Sequence, residues 1–163
     1  PLYSSAASDV YKRQVYDPED PVPSLGGHTC CTGTDTEAGG YDQTEIERRG
    51  DVLVYSSPIL KKGIEVTGLI KANLFVTSSA KDTDFTVKLV DVYPDGRAFN
   101  VQEGVIRMRY RESLRSPSLI NPGKIYEVEV DLNATSNFFT EGHKIRVEVS
   151  SSCLLYTSDA ADE

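Results

Sequence analysis

The chain of 163 residues has no tryptophan, a single methionine, two histidines and three cysteines. Each scarcity excludes something. Without tryptophan, and with Tyr93, Tyr110 and Tyr126 in core-phase or turn positions, the exposed aromatic platforms of a sugar site are missing. Cys30 and Cys31 are adjacent, and neighbouring residues rarely meet disulfide geometry, while no second pair is spaced for zinc. They read as small packed thiols. No apolar run is long enough to span a bilayer. No serine sits in the G-x-S-x-G elbow that exposes a nucleophile, so no acyl-transfer centre is expected within this chain. A formal charge of −8 argues against general nucleic-acid binding.

The ends have an unusual relation. Residues 4–14, SSAASDVYKRQ, and 153–163, CLLYTSDAADE, are unlike as peptides but alike as DNA. A back-translation of the first, reverse-complemented and shifted by one base, encodes the second. They resemble a transposase adaptor joined to both ends of a fragment. Residues 1–14 and 153–163 are therefore expected to be adaptor-derived tails, and are set aside from fold reasoning. Cys153 goes with them, as do Lys12, Arg13, Asp9, Asp159, Asp162 and Glu163, which leaves a net charge of about −6. The native start and any leader are expected to lie outside the chain, so compartment is not readable.

Residues 15–50 are rich in Gly, Pro, Asp and Thr without a sustained apolar period, and read as an extended connector. Its opening YDPEDPVPSLGG combines X-Pro steps that favour extended backbone with a glycine pair that allows a turn. From Asp51 onward the pattern has period two, the mark of half-buried strands. Ile70, Ala72, Leu74 and Val76 alternate with polar neighbours, as do Tyr126, Val128, Val130 and Leu132, and Ile145, Val147 and Val149. Ile106, Met108 and Tyr110 alternate with Arg107, Arg109 and Arg111. PDG, NPG and EGH turns separate the runs, and no amphipathic helix of useful length intervenes. Residues 51–152 are expected to form an all-β antiparallel sandwich. Between Phe85 and Val92 the alternation slips, which predicts a central strand buried on both faces, with a bulge as the alternative.

Candidate side chains all have structural readings. His143, at a turn that opens a strand, is expected to hydrogen-bond locally, and His28 to lie in a loop or an interdomain contact. Asp82, Asp84, Asp91 and Asp95 do not follow a calcium-loop spacing; Asp82 and Asp84 are expected to cap strand ends or pair with arginines. The Arg107, Arg109, Arg111 stripe is expected to pair across strands with Glu127, Glu129 and Asp131. Asn133 heads an NAT sequon, a match frequent by chance. No residue is assigned a catalytic, cofactor-binding or metal-binding role, and no cofactor is expected.

The stretch DTDFTVKLVDVYPDGRAFNVQEGVIRMRYR, Asp82 to Arg111, carries a specific resemblance. With YDPEDPVPSLGG, DQTEIERRGDVLVYSS and GHKIRVEVSSS, it is similar to the C-terminal domain of the X-Pro dipeptidyl-peptidases and cocaine-esterase-like (CocE/NonD) serine hydrolases. The resemblance implies a jelly-roll β-sandwich, galactose-binding-like, truncated at its C-terminal end. It implies that 15–50 crosses from an α/β-hydrolase domain whose serine, acid and histidine lie upstream, and that this domain packs on the hydrolase and supports its site. A sandwich cut short is expected to expose an edge and to aggregate or dimerise. Two other readings are an independent carbohydrate-binding module and an oligomerisation scaffold. Whether the parent would cleave X-Pro dipeptides, β-lactam side chains or small esters is set by a pocket outside this sequence.

Overall fold

Alternating sequence becomes strand in a computed structural model of the chain, which describes residues 12–28 and 38–152. The tail segments 1–11 and 153–163, and with them Cys153, lie outside those residues, as do Cys30 and Cys31. The strands are β1 (Val52–Ser56), β2 (Ile64–Val76), β3 (Asp84–Val92), β4 (Ala98–Arg107), β5 (Tyr126–Phe139) and β6 (Lys144–Ser150). Helical structure among the described residues is limited to the 3-10 turns Ile46–Arg48 and Met108–Tyr110. One sheet has the order β1-β6-β3-β4 and a long ribbon pairs β2 with β5, all antiparallel. This is the expected all-β antiparallel sandwich.

The turn residues do what their chemistry allows. Pro94-Asp95-Gly96 closes the β3–β4 hairpin, with Tyr93 N–H donating to Arg97 O at 2.8 Å and Gly96 at φ +95°. Between the layers, Phe85, Val87 and Leu89 of β3 meet Val128, Val130, Leu132 and Phe139 of β5, with Met108 and Val149 filling the ends. The β2–β5 ribbon keeps its other face in water, hence its clean alternation. Asn133 breaks the phase of β5 with φ +65°, a conformation asparagine tolerates, and the pairing with β2 slips between Leu69 and Lys71.

Every residue of β3 is buried. It is central in its sheet, as expected, and a bulge is present too: the pairing with β4 shifts between Leu89 and Val90. Its outer face is covered by this chain's own residues from 20–28 and 38–50. Val22 and Ile46 pack with Val52 of β1 as a second apolar cluster, and the Gln43 N–H donates to Ala98 O at 2.6 Å. The described parts of this stretch, 20–28 and 38–50, form a strap laid over the four-stranded sheet. Its apolar anchors are too widely spaced to show a period. Arg49 ties the strap at both ends, bonding Asp20 and Asp51.

Candidate functional site

Three polar assemblies could carry function. At one end of the sandwich, β3 begins, β4 ends and β5 begins. There Asp82 Oδ2 accepts from Arg107 Nε at 2.9 Å and Arg109 Nε at 2.5 Å, and Asp82 Oδ1 from the Arg109 N–H at 2.8 Å. This differs from the expected pairing of the arginine stripe with β5. Strand β4 stops at Arg107, and the 3-10 turn after it swings Arg109 onto the Asp82 loop. Glu129 instead pairs with Lys71, and Arg111 points inward to donate to the carbonyls of Met108 and Ser118. The expected alternative, Asp82 pairing with arginines, is what the geometry shows.

Burial pushes the Asp82 carboxyl up, but its bonds from Arg109 and Arg107 outweigh that and hold it below the usual carboxylate range. Burial raises the neighbouring Asp84, which lies 3.9 Å from Arg107. A lowered folded pKa contributes stability above the unfolded value near 4, lost as pH falls through the folded one. Asp82→Asn is therefore expected to cost about 2 kcal/mol at pH 7, discounted for the part-exposed arginines. The difference from the parent chain should close below about pH 4. Urea midpoints across that range check it; a gap that persists in acid would mean the carboxylate is not the source.

The second assembly is His143, whose Nδ1 lies 2.8 Å from Asp91 Oδ1, both buried. The Tyr93 ring sits 4.4 Å from the imidazole. His143 closes the turn between β5 and β6, and Asp91 fixes the ring from β3, a bracing arrangement. Among the described residues this imidazole is hydrogen-bonded to Asp91 and to no hydroxyl. His28 lies in the neck of the strap, its N–H donating to Glu103 Oε1 at 3.0 Å. The four acids Asp82, Asp84, Asp91 and Asp95 do not converge: Asp91 serves His143, and Asp95 serves Arg97. Among the described residues no group of three His, Cys, Asp or Glu is placed to hold a metal. No helix there is long and apolar enough to cross a membrane.

The third assembly lies under the strap. Lys88 of β3 sits in register between Glu148 of β6 and Glu103 of β4, and its ammonium donates to Gln43 Oε1 at 2.9 Å. Thr86 and Ser150 are hydrogen-bonded beside it, and the Val22 N–H donates to Ser152 Oγ at 3.1 Å. The alternation of β6 marked Glu148 as outward-facing, and it is; the strap buries it to 3% exposure. No local signal foretells this, because Glu47 lies 99 residues from Arg146 of β6, which it pairs with, and Gln43 lies 45 residues from Lys88 of β3.

The described residues thus define an antiparallel β-sandwich domain braced by internal ion pairs. The chain belongs to the family of X-Pro dipeptidyl-peptidase C-terminal non-catalytic domains, whose pattern matches residues 3–158. It is 56% identical over 151 residues to the cocaine esterase of Rhodococcus sp. (strain MB1 Bresler), covering 93% of this chain and 25% of that protein. The crystal structure of an aminopeptidase from a marine sediment Thaumarchaeota archaeon matches with a TM-score of 0.78 and 32% identity, over 86% of this chain and 25% of its own. An alpha-amino acid ester hydrolase matches with a TM-score of 0.77 and 28% identity, over the same shares. The chain thus spans about a quarter of the length of these relatives.

Proposed function

We propose that the chain serves as the C-terminal domain of a serine hydrolase acting on an ester or X-Pro amide bond, and that it docks on the hydrolase domain and supports its site. In such an enzyme a serine attacks the carbonyl, an acyl-enzyme forms and water releases it. No serine of this chain sits in a G-x-S-x-G elbow, and the contribution it makes in this reading is a rigid surface. The supporting observation is the arginine-bound end of the sandwich. Phe75 (69% exposed), Leu114 (86%), Leu119 (58%) and Ile125 (46%) all belong to strand ends and loops there.

These apolar tips stand on a braced loop. The Ser118 N–H donates to Arg109 O, Ile120 N–H to Lys81 O and Gly123 N–H to Ser78 O, at 2.7, 2.9 and 2.9 Å. The Asn121 N–H donates to the Tyr126 hydroxyl, and the Arg111 guanidinium lies 4.8 Å over that ring. A stiff apolar rim beside part-exposed Arg107 and Arg109 is the kind of surface that buries itself against a partner carrying apolar and acidic groups. The occupant fitted to it is the hydrolase portion that makes up most of the relatives' length.

The test is to exchange residues 15–152 for the matching stretch of the Rhodococcus cocaine esterase. The chimera is expected to cleave 4-nitrophenyl acetate, and Leu114→Asp with Leu119→Asp to lower its activity and melting temperature at least ten-fold and by several degrees. The same pair of substitutions should leave the isolated chain's melting unchanged, since both side chains are already in water. A doubly substituted chimera as stable and active as its parent, or an isolated chain that cleaves the ester itself, overturns the reading.

A further inference from the structure

We propose that Glu47 and Glu148 share one proton, and that this proton latches the strap to the four-stranded sheet, so that the chain loosens along the strap as pH rises. This stands apart from the hydrolase reading and would hold for the domain in any setting.

The geometry carries it. Glu148 is buried on the outer face of β6, two residues from Arg146 on the same face, and the Glu47 carboxyl, in the strap's 3-10 turn, is seated on that face by its bond from Arg146. Glu47 Oε2 accepts from Arg146 Nη1 at 2.5 Å, which leaves its other oxygen free to face Glu148. Glu47 Oε1 and Glu148 Oε1 are both buried and both lack a donor. Two carboxylates can only accept, so two neighbouring carboxyl groups that each bury an orphaned oxygen are satisfied together by one shared proton. The charged groups that face the pair among the described residues are Lys88 on β3, Arg146 on β6 and Glu103 on β4. Strand β1 brings Val52, Val54 and Ser56 to this face, none of them charged.

The titration agrees in direction. Burial pushes the Glu148 carboxyl up, Lys88 pulls it down, and the Glu47 carboxyl pushes it up again, to about 8. A folded pKa raised above the ordinary value near 4.5 gives stability fully present below that value. It is lost as pH rises through about 8 and level beyond. Above that point two adjacent carboxylates repel across the strap–sheet seam. The strap's remaining attachments are the Val22–Ile46–Val52 cluster and the Arg49 bridge.

The experiment follows carboxyl carbon resonances of the chain by NMR from pH 4 to 10, together with hydrogen exchange at the Gln43, Glu47 and Arg49 amides, corrected for intrinsic rates. In the unaltered chain one glutamate of the pair is expected to titrate in the alkaline range, and those amides to lose about ten-fold of protection between pH 6 and pH 9. Glu148→Gln keeps the shape and supplies a permanent donor to Glu47, so it is expected to abolish the pH-dependent loss. Titration of all glutamates below about 5.5, or the same loss in Glu148→Gln as in the parent, overturns the latch. Should Glu148→Gln fold poorly, the resonances of the unaltered chain still decide the matter.

Discussion

Lys88→Met is expected to destabilise the chain by about 3 kcal/mol and to free the strap, the larger of its effects being on the strap. Methionine matches the aliphatic stem in length, so packing along β3 is nearly kept. What goes is the ammonium. Gln43 Oε1 loses its donor at 2.9 Å, and the cation in register between Glu148 and Glu103 disappears from a site where Lys88 is only 8% exposed. Removing one partner from a buried charge set leaves the others uncompensated, which costs about 3–5 kcal/mol in well-enclosed cases. The lower figure is used because the shared proton can redistribute within the set. Urea unfolding of the variant should show a lower midpoint, and trypsin should cut after Arg48 or Arg49 faster than in the parent. A variant with an unchanged midpoint and unchanged cleavage would show that the strap is held by its apolar contacts alone.

The same residue shows where the sequence stops being legible. The ribbon of β2 and β5 could be read directly, because one face meets the core and the other water, and Val128, Val130 and Leu132 declare themselves by alternation. Strand β3 could be read as buried, but not what buries it. Its cover comes from Gln43 and Ile46, whose neighbours in sequence are polar and turn-forming and give no periodic signal. Glu148 followed the outward phase of β6 faithfully, and only tertiary contact turned an outward position into an enclosed one. The arginine stripe failed for a different reason. Period two continues through Met108 and Tyr110, yet the backbone leaves the sheet at Arg107 and forms a 3-10 turn, because the Met108 N–H finds Thr83 O and the Arg109 N–H finds Asp82. A pattern of side chains cannot report a competing set of backbone acceptors from a remote loop. The family resemblance, resting on residues 82–111 and the flanking motifs, identified the domain without revealing either arrangement.

Gly104→Val is expected to have an effect at least as large, by preventing the two layers from closing. Gly104 lies on β4 opposite Val87, with the backbone of β5 close against it. A Cβ built there would run into the carbonyl oxygen of Asp131, with the Asp131 carbonyl carbon at 2.9 Å and the Leu132 Cα at 3.1 Å. All of these are backbone atoms, so no side-chain rotation can relieve the contact. Strand β4 must instead move from β5, which breaks the Gln102 Nε2 bond to Ala134 O and opens the packing of Leu132. Overpacking a close-packed interior costs about 1–3 kcal/mol for a methylene or two, and more where the obstacle is backbone. For valine an expected loss of about 4 kcal/mol is a large fraction of the roughly 5–15 kcal/mol that holds a domain folded. Gly104→Ala should fall between valine and the parent, and Gly50→Ala, where nothing lies within 4 Å of the added carbon, should be neutral. Melting of the four proteins in parallel is the measurement. Equal melting of Gly104→Val and Gly50→Ala would mean that the β4–β5 seam is not closed in solution, and that the sandwich is held by β3 and β6 against the ribbon alone.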